Sequence, residues 1–398
     1  MYNFWSLTLY EYRKLWKKKT VWISILIILL LCFIASIVNA IGDYQLDGET
    51  YDSNYNIIKT EQAYGEALSG RQIDDALLGE LQEAYSKVSK DSGYTMTKEY
   101  WQYAHPYSDL YSSLRQITGD LVREQGFSAD SLYKMRTQLL HEEWESMRLT
   151  EGEIAHFSEM EAGTEIPFTY KYCEGWKRLI ALMYTNGVMI CMLIAICIPV
   201  IFAEEHVRRT DQILITTKLG KQTLYWAKVF TGITFGLLVS LGIIIVELIP
   251  TFIIYGTAGF DTQMQLLLPL TSWDLTAGQM TLILAALLLV SSVVFSAIAM
   301  VISEKTRSNV VPMAILIALM LANLFFNIPE EYRILSQIWN GLPTAIVSIW
   351  NAFDIRLIPI GNTYLTIWQA APWIYIVVTM IILAIGYRIY KKFQAGGR

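Results

Sequence analysis

Polar side chains stranded in apolar stretches are where this chain concentrates its chemical potential. Glu247 stands in Ile245-Val246-Glu247-Leu248-Ile249-Pro250, inside an apolar run long enough to cross a bilayer. A central acid costs about 2.5 to 3.5 kcal/mol on insertion scales. Such a residue therefore faces a cargo path or a protein interface, or is an interfacial acid satisfied by Ser, Asn or backbone at the Pro250 break. Asn186 and Asn323 lie in two other apolar runs and are suited to hydrogen bonds between helices. Glu247, Asn186 and Asn323 are the candidate path or interface residues.

Catalytic spacings are absent from the sequence. No G-x-x-x-x-G-K-[ST] phosphate loop occurs, so hydrolysis of ATP by this chain alone is not expected. No H-E-x-x-H occurs either. His141-Glu142-Glu143 lacks a second histidine one turn on, and with His156 it reads as surface. No Gly-x-Ser-x-Gly elbow appears, and the apolar runs hold no aspartate pair of the intramembrane-protease kind. The expectation is a non-enzyme without a metal or bound cofactor of its own. Cys32, Cys191 and Cys197 lie in apolar runs as small hydrophobes, whereas Cys173 reads as polar-side without a partner.

Another concentration of charge follows the Asn186 run. It reads Phe202-Ala203-Glu204-Glu205-His206-Val207-Arg208-Arg209-Thr210-Asp211, then Gln212 to Gly220, and returns to an apolar run past Trp226 and Lys228 at the membrane interface. An acidic pair leaves the membrane, a short amphipathic segment follows, Gly220 turns the chain and a basic helix re-enters. A helix held stiffly between two spans can transmit a push from a docked protein.

The elements that must position these groups are membrane spans. Hydrophobic residues make up 54% of 398 and charged ones 17%, with a mean hydropathy of +0.35, which excludes a purely soluble globule. Val21 to Ile41 is long enough to span at about 1.5 Å per residue, and it reads as a retained anchor and not a signal peptide. Further runs at Leu179 to Ala203, Lys228 to Tyr255, Gln279 to Ser303, Val310 to Ile328 and Pro372 to Tyr390 bring the expected number to six. Lys and Arg cluster before the first span, between the second and third, between the fourth and fifth, and after the sixth. By the positive-inside rule these segments, with both termini, face the cytoplasm of a plasma membrane, and the cell type that fits is bacterial.

Residues 42–176 form the one large region outside the spans. They carry 25 acidic and 11 basic residues, a net charge of −14, which leaves +9 for the rest of a chain at −5. Topology places this region outside the cell. Thr60 to Lys90 and Ser128 to Met160 are nearly free of Gly and Pro and rich in helix formers, and breaks at Asp91-Ser92-Gly93, His105-Pro106 and Gly126 imply three or four helices. Leu132, Met135, Leu139, Leu140, Trp144, Met147 and Leu149 make an apolar stripe. The fold class expected is an all-α membrane protein of six transmembrane helices with an α-helical extracellular domain. Residues 1–20 form a basic, aromatic helix along the inner surface, 21–41 the first span, and 177–398 the remaining spans. Within the last region, 204–222 is an inner coupling segment, and 332–353 is an outer re-entrant hairpin interrupted at Gly341 and Pro343.

The basic N-terminal helix, the acid-bearing exit at Glu204 and Glu205, the re-entry from Leu214 to Lys228 and six spans with both ends inside resemble the permease subunits of ABC transporters of the ABC-2 type. The large outer region is similar to that of the sodium-efflux and A-subfamily-like branch. Asp211 departs from the pattern, standing where relatives often have Gly-Thr followed by hydrophobics. The resemblance implies an exporter permease that pairs with a second permease subunit and docks an ABC ATPase subunit, which would bind ATP and Mg. Glu204, Glu205, Arg208, Arg209 and Asp211 are then the docking residues. The acidic outer region suits a cationic cargo, a peptide or antimicrobial compound, while sodium, drugs and lipids stay open as alternatives. The competing reading is a membrane sensor or scaffold whose acidic outer domain binds a peptide or cell-envelope ligand. The partners expected are these proteins and the lipid bilayer; the overall charge gives no reason to expect nucleic acid.

Overall fold

The computed structural model describes residues 2–46, 49–89, 95, 97–207, 222–361 and 363–392. Helix makes up 73% of it. From the N-terminus, α1 (Tyr2–Trp16) leads into α2 (Lys19–Ile37), and a small antiparallel hairpin of β1 (Asp43–Leu46) and β2 (Glu49–Ser53) follows. Then come α3 (Asn54–Leu68), α4 (Asp75–Ser86), α5 (Ser108–Thr118), α6 (Ala129–Ser146) and α7 (Glu151–Ala162). The second half holds α8 (Glu174–Cys197), α9 (Val200–Val207), α10 (Thr223–Tyr255), α11 (Ala277–Thr306), α12 (Val310–Phe325), α13 (Arg333–Asn340) and α14 (Ile349–Ala352). A second hairpin, β3 (Ile358–Ile360) with β4 (Thr363–Leu365), precedes the last helix, α15 (Ile367–Lys392).

Among the described residues, five segments are long and apolar enough to cross a membrane: Lys19–Ala40, Glu174–Val207, Thr223–Tyr255, Ala277–Thr306 and Ile367–Lys392. The chain is a multi-pass, all-α membrane protein on that ground. The sixth expected span, Val310 to Ile328, forms the 16-residue α12. At about 1.5 Å per residue it rises about 24 Å, short of a hydrocarbon core of roughly 30 Å. Its helix ends at Phe325, where Phe326 turns extended.

Close approach of α10 and α11 depends on two glycines one turn apart. A Cβ at Gly232 would overlap Met300, and one at Gly236 would overlap Ser296. This is the small-residue spacing that lets helix backbones meet in lipid. Thr276 opens α11 with a reciprocal capping box to Gln279.

Residues 42–173 sit at one end of the long helices. Ile58 of α3 packs on Ile254 and Tyr255 at the C-terminal end of α10 and on Ile37 at the end of α2. The two long helical stretches expected here are each divided. Thr60 to Lys90 is served by α3 and α4, and the second stretch breaks at Arg148, whose φ of +52° is left-handed, before Thr150 starts α7 with a capping box to Glu153. Along α6, Leu132 belongs to a core formed with α4 and α5, while Leu140 and Trp144 join the continuous core of the long helices. Phe157 of α7 meets Trp273 edge to face at 5.4 Å, and Arg136, 2% exposed, donates to the Pro269 and Thr271 carbonyls. The region is thus fused to the loop between α10 and α11.

Candidate functional site

At the end opposite residues 42–173, α1 is clamped to both flanks of the expected coupling segment. Lys228, one turn into α10, is fully buried: its Nζ donates to Glu205 at 2.8 Å, to the Ile201 carbonyl at 2.6 Å and to Glu11 at 3.4 Å. Lys14 pairs with Glu11 at 2.6 Å and with Glu205 at 2.9 Å. Two acids and two amines thus form a balanced, nearly dry square. Lys18 extends it to Glu204 at 2.6 Å, and His206 reaches Glu304 of α11 at 3.1 Å.

Lys228, expected at the membrane interface, is enclosed by protein on all sides. The long helix begins five residues earlier, at Thr223, and three acceptors compensate the burial of the amine. Glu204 and Glu205, expected at a docking surface, are 6% and 8% exposed, and the partners described are lysines of this chain. Arg208, Arg209 and Asp211 lie outside the described residues. Glu11 and Lys14 are site residues that sequence reasoning missed. The signal was present, since Glu11 and Lys14 are three apart on a helix, but their partner lies 217 residues away.

Deeper among the long helices, Glu247 and Asn186 meet. Both are fully buried, and Asn186 Nδ2 donates to Glu247 Oε2 at 2.6 Å. The Cys32 thiol of α2 interacts with the same carboxyl. Asn323 is elsewhere: on α12 it donates to the Trp339 carbonyl at 3.2 Å and accepts from Thr344 at 2.8 Å, tying α12 to the segment expected as a re-entrant hairpin. That segment is α13, a run of turns and α14.

Two adjoining cavities open where α5, α6 and α8 meet this segment. The larger, about 610 Å³, is lined by Asp109, Ser112 and Ser113 of α5, by Lys177 and Tyr184 of α8, and by Trp350. The smaller, about 270 Å³, is lined by Glu143, Met147, Glu330, Asp354 and Arg356. They share Gln116, Leu268, Ile349 and Trp350. Their combined size suits a small molecule or a short peptide segment. Burial, reinforced by Glu330, raises the Glu143 carboxyl above the ordinary range.

Glu153 fixes the wall of this region. It is 1% exposed, pairs with Arg333 of α13, and accepts from the backbone N–H of Leu357 at 2.7 Å and of Thr150 at 2.8 Å. Burial opposes its charge, but the Arg333 guanidinium and these N–H donors prevail and hold the carboxyl below its usual range. Cys173, expected polar-side, is 1% exposed, and burial pushes its thiol up to about 11. All four cysteines are buried and free. Among the described residues no group of three or more His, Cys, Asp or Glu is placed to hold a metal. No family model, curated protein or solved structure matches the chain.

Proposed function

We propose that the chain is the membrane-spanning permease subunit of an ATP-driven exporter, worked by a separate ATPase subunit docked at the basic end. The observation that carries this reading is the buried square of Glu11, Lys14, Glu205 and Lys228. Glu205 and Lys228 stand on either side of residues 208–221, and Glu11 and Lys14 bind α1 to both. A push on that segment is therefore handed to α1, α9 and α10 together, as a part that converts docking into helix movement requires. The cavities at the other end supply a place where cargo can leave or be held. In this reading α12, linked through Asn323 to the outer segment, is a short sixth span. Both termini are then cytoplasmic, residues 42–176 face outside, and a second permease subunit completes the path.

The test is biochemical. The purified chain is expected to hydrolyse no ATP, and to co-purify with an ABC ATPase whose turnover it alters. Replacing Arg208, Arg209 and Asp211 together by Ala should weaken that association while leaving the fold intact. Hydrolysis by the isolated chain, or an outer-domain ligand bound with no ATPase partner and no transport, would instead favour an enzyme or a sensor.

A further inference from the structure

The Glu247–Asn186 contact leaves one atom on each side chain unaccounted for. Asn186 Nδ2 donates to Glu247 Oε2, yet Glu247 Oε1 and Asn186 Oδ1 are both buried without a hydrogen-bond partner. If the carboxyl is ionised, both orphans are acceptors, and two buried acceptors without donors cost free energy for each. If the carboxyl holds a proton on Oε1, that group becomes a donor, and the orphaned amide oxygen belongs to the side chain already bonded to its other oxygen. A single proton satisfies both atoms.

The surroundings offer no counter-charge to the ionised form, only the neutral Asn186 amide and Cys32 thiol. Glu247 has no ion-pair partner among the described residues, and an unpaired carboxylate in an apolar setting is the expensive state. The neighbouring elements supply few titratable groups. From α2 there is the Cys32 thiol, and from α8 the non-titrating Asn186. The stretch of α11 from 277 to 303 contains no Asp, Glu, Lys, Arg, His, Cys or Tyr. From α3, Lys59 bonds Gln62 and the Ile253 carbonyl, six residues beyond Glu247. The lysines and acids that α1 brings to α10 gather at Lys228, nineteen residues and about 28 Å of helix away.

We propose that Glu247 carries its proton at neutral pH and donates it to Asn186 Oδ1, closing an acid–amide pair that makes a proton-binding site between α2, α8 and α10. Loss of the proton leaves two acceptors facing each other and weakens the contact between α8 and α10. Proton occupancy therefore sets how firmly these helices hold together. The inference stands whether or not the chain is an exporter permease.

Infrared spectroscopy of the full chain in lipid nanodiscs tests it. The wild-type minus Glu247→Gln difference spectrum at neutral pH should show one protonated-carboxyl carbonyl band, shifting in D₂O, and no loss of ionised-carboxylate bands. Loss of carboxylate bands instead would overturn the proposal. Gln supplies the same N–H to Asn186 Oδ1 and the same acceptor to Nδ2, so Glu247→Gln should fold and keep its thermal stability; unfolding of this variant also counts against the pair. In a separate arm, Asn186→Leu removes the acceptor, and the acid band should move to higher frequency. A band that does not move refutes the pairing.

Discussion

Replacing Lys228 with Met removes one corner of the charged square and keeps most of the side-chain volume. In the native chain Glu11 and Glu205 face Lys14 and Lys228, and the group is electrically balanced. Without Lys228, two buried carboxylates share one amine, and the Ile201 carbonyl loses a donor that stood at 2.6 Å. Breaking a buried pair by removing one partner costs about 3 to 5 kcal/mol, because the remaining charge is left uncompensated. The double variant Lys228→Met with Glu205→Gln restores neutrality, leaving Glu11 with Lys14 at 2.6 Å. It should therefore recover about 1 to 3 kcal/mol of the loss, a coupling ordinary for residues in one network. Unfolding in mixed micelles, followed by the fluorescence of the 12 tryptophans, measures both values. A cost below about 1 kcal/mol would put the cluster in the class of exposed surface pairs. That result, or a double variant no more stable than the single one, would refute the account of a tightly coupled clamp.

Two further outcomes are expected. Glu153→Ala should expose the Leu357 amide, raising its hydrogen-exchange rate, and cost about 2 to 3 kcal/mol through the unpaired donors left behind; because the folded carboxyl lies below its ordinary value of 4.5, its contribution is present above that pH and fades as pH falls, so the variant should lose less stability on acidification than the wild type. Gly79 is exposed on α4 with no atom within 4 Å of an added Cβ, and the four native thiols are buried, so Gly79→Cys should be labelled in intact cells by an impermeant thiol reagent over a silent background; labelling only after permeabilisation would reverse the expected orientation.

Run length and composition made the membrane character legible in the sequence. Long uninterrupted apolar stretches must become helix in lipid, since no water is there to satisfy the backbone. Residues 21–41, 228–255 and 279–303 accordingly fall on α2, α10 and α11 to within a few residues. Glu247 and Asn186 were each conspicuous for the same reason, as polar groups where polar groups are costly. Their pairing across 61 residues was not legible. Nor was the clamp of Glu11 and Lys14 onto Lys228, or the way α6 divides its apolar stripe between two cores. Hydrophobicity and helix propensity act along the chain and can be read position by position. Which buried charge meets which, and which atoms are left needing a proton, depends on how separate helices rotate and abut, and only packing in three dimensions decides that.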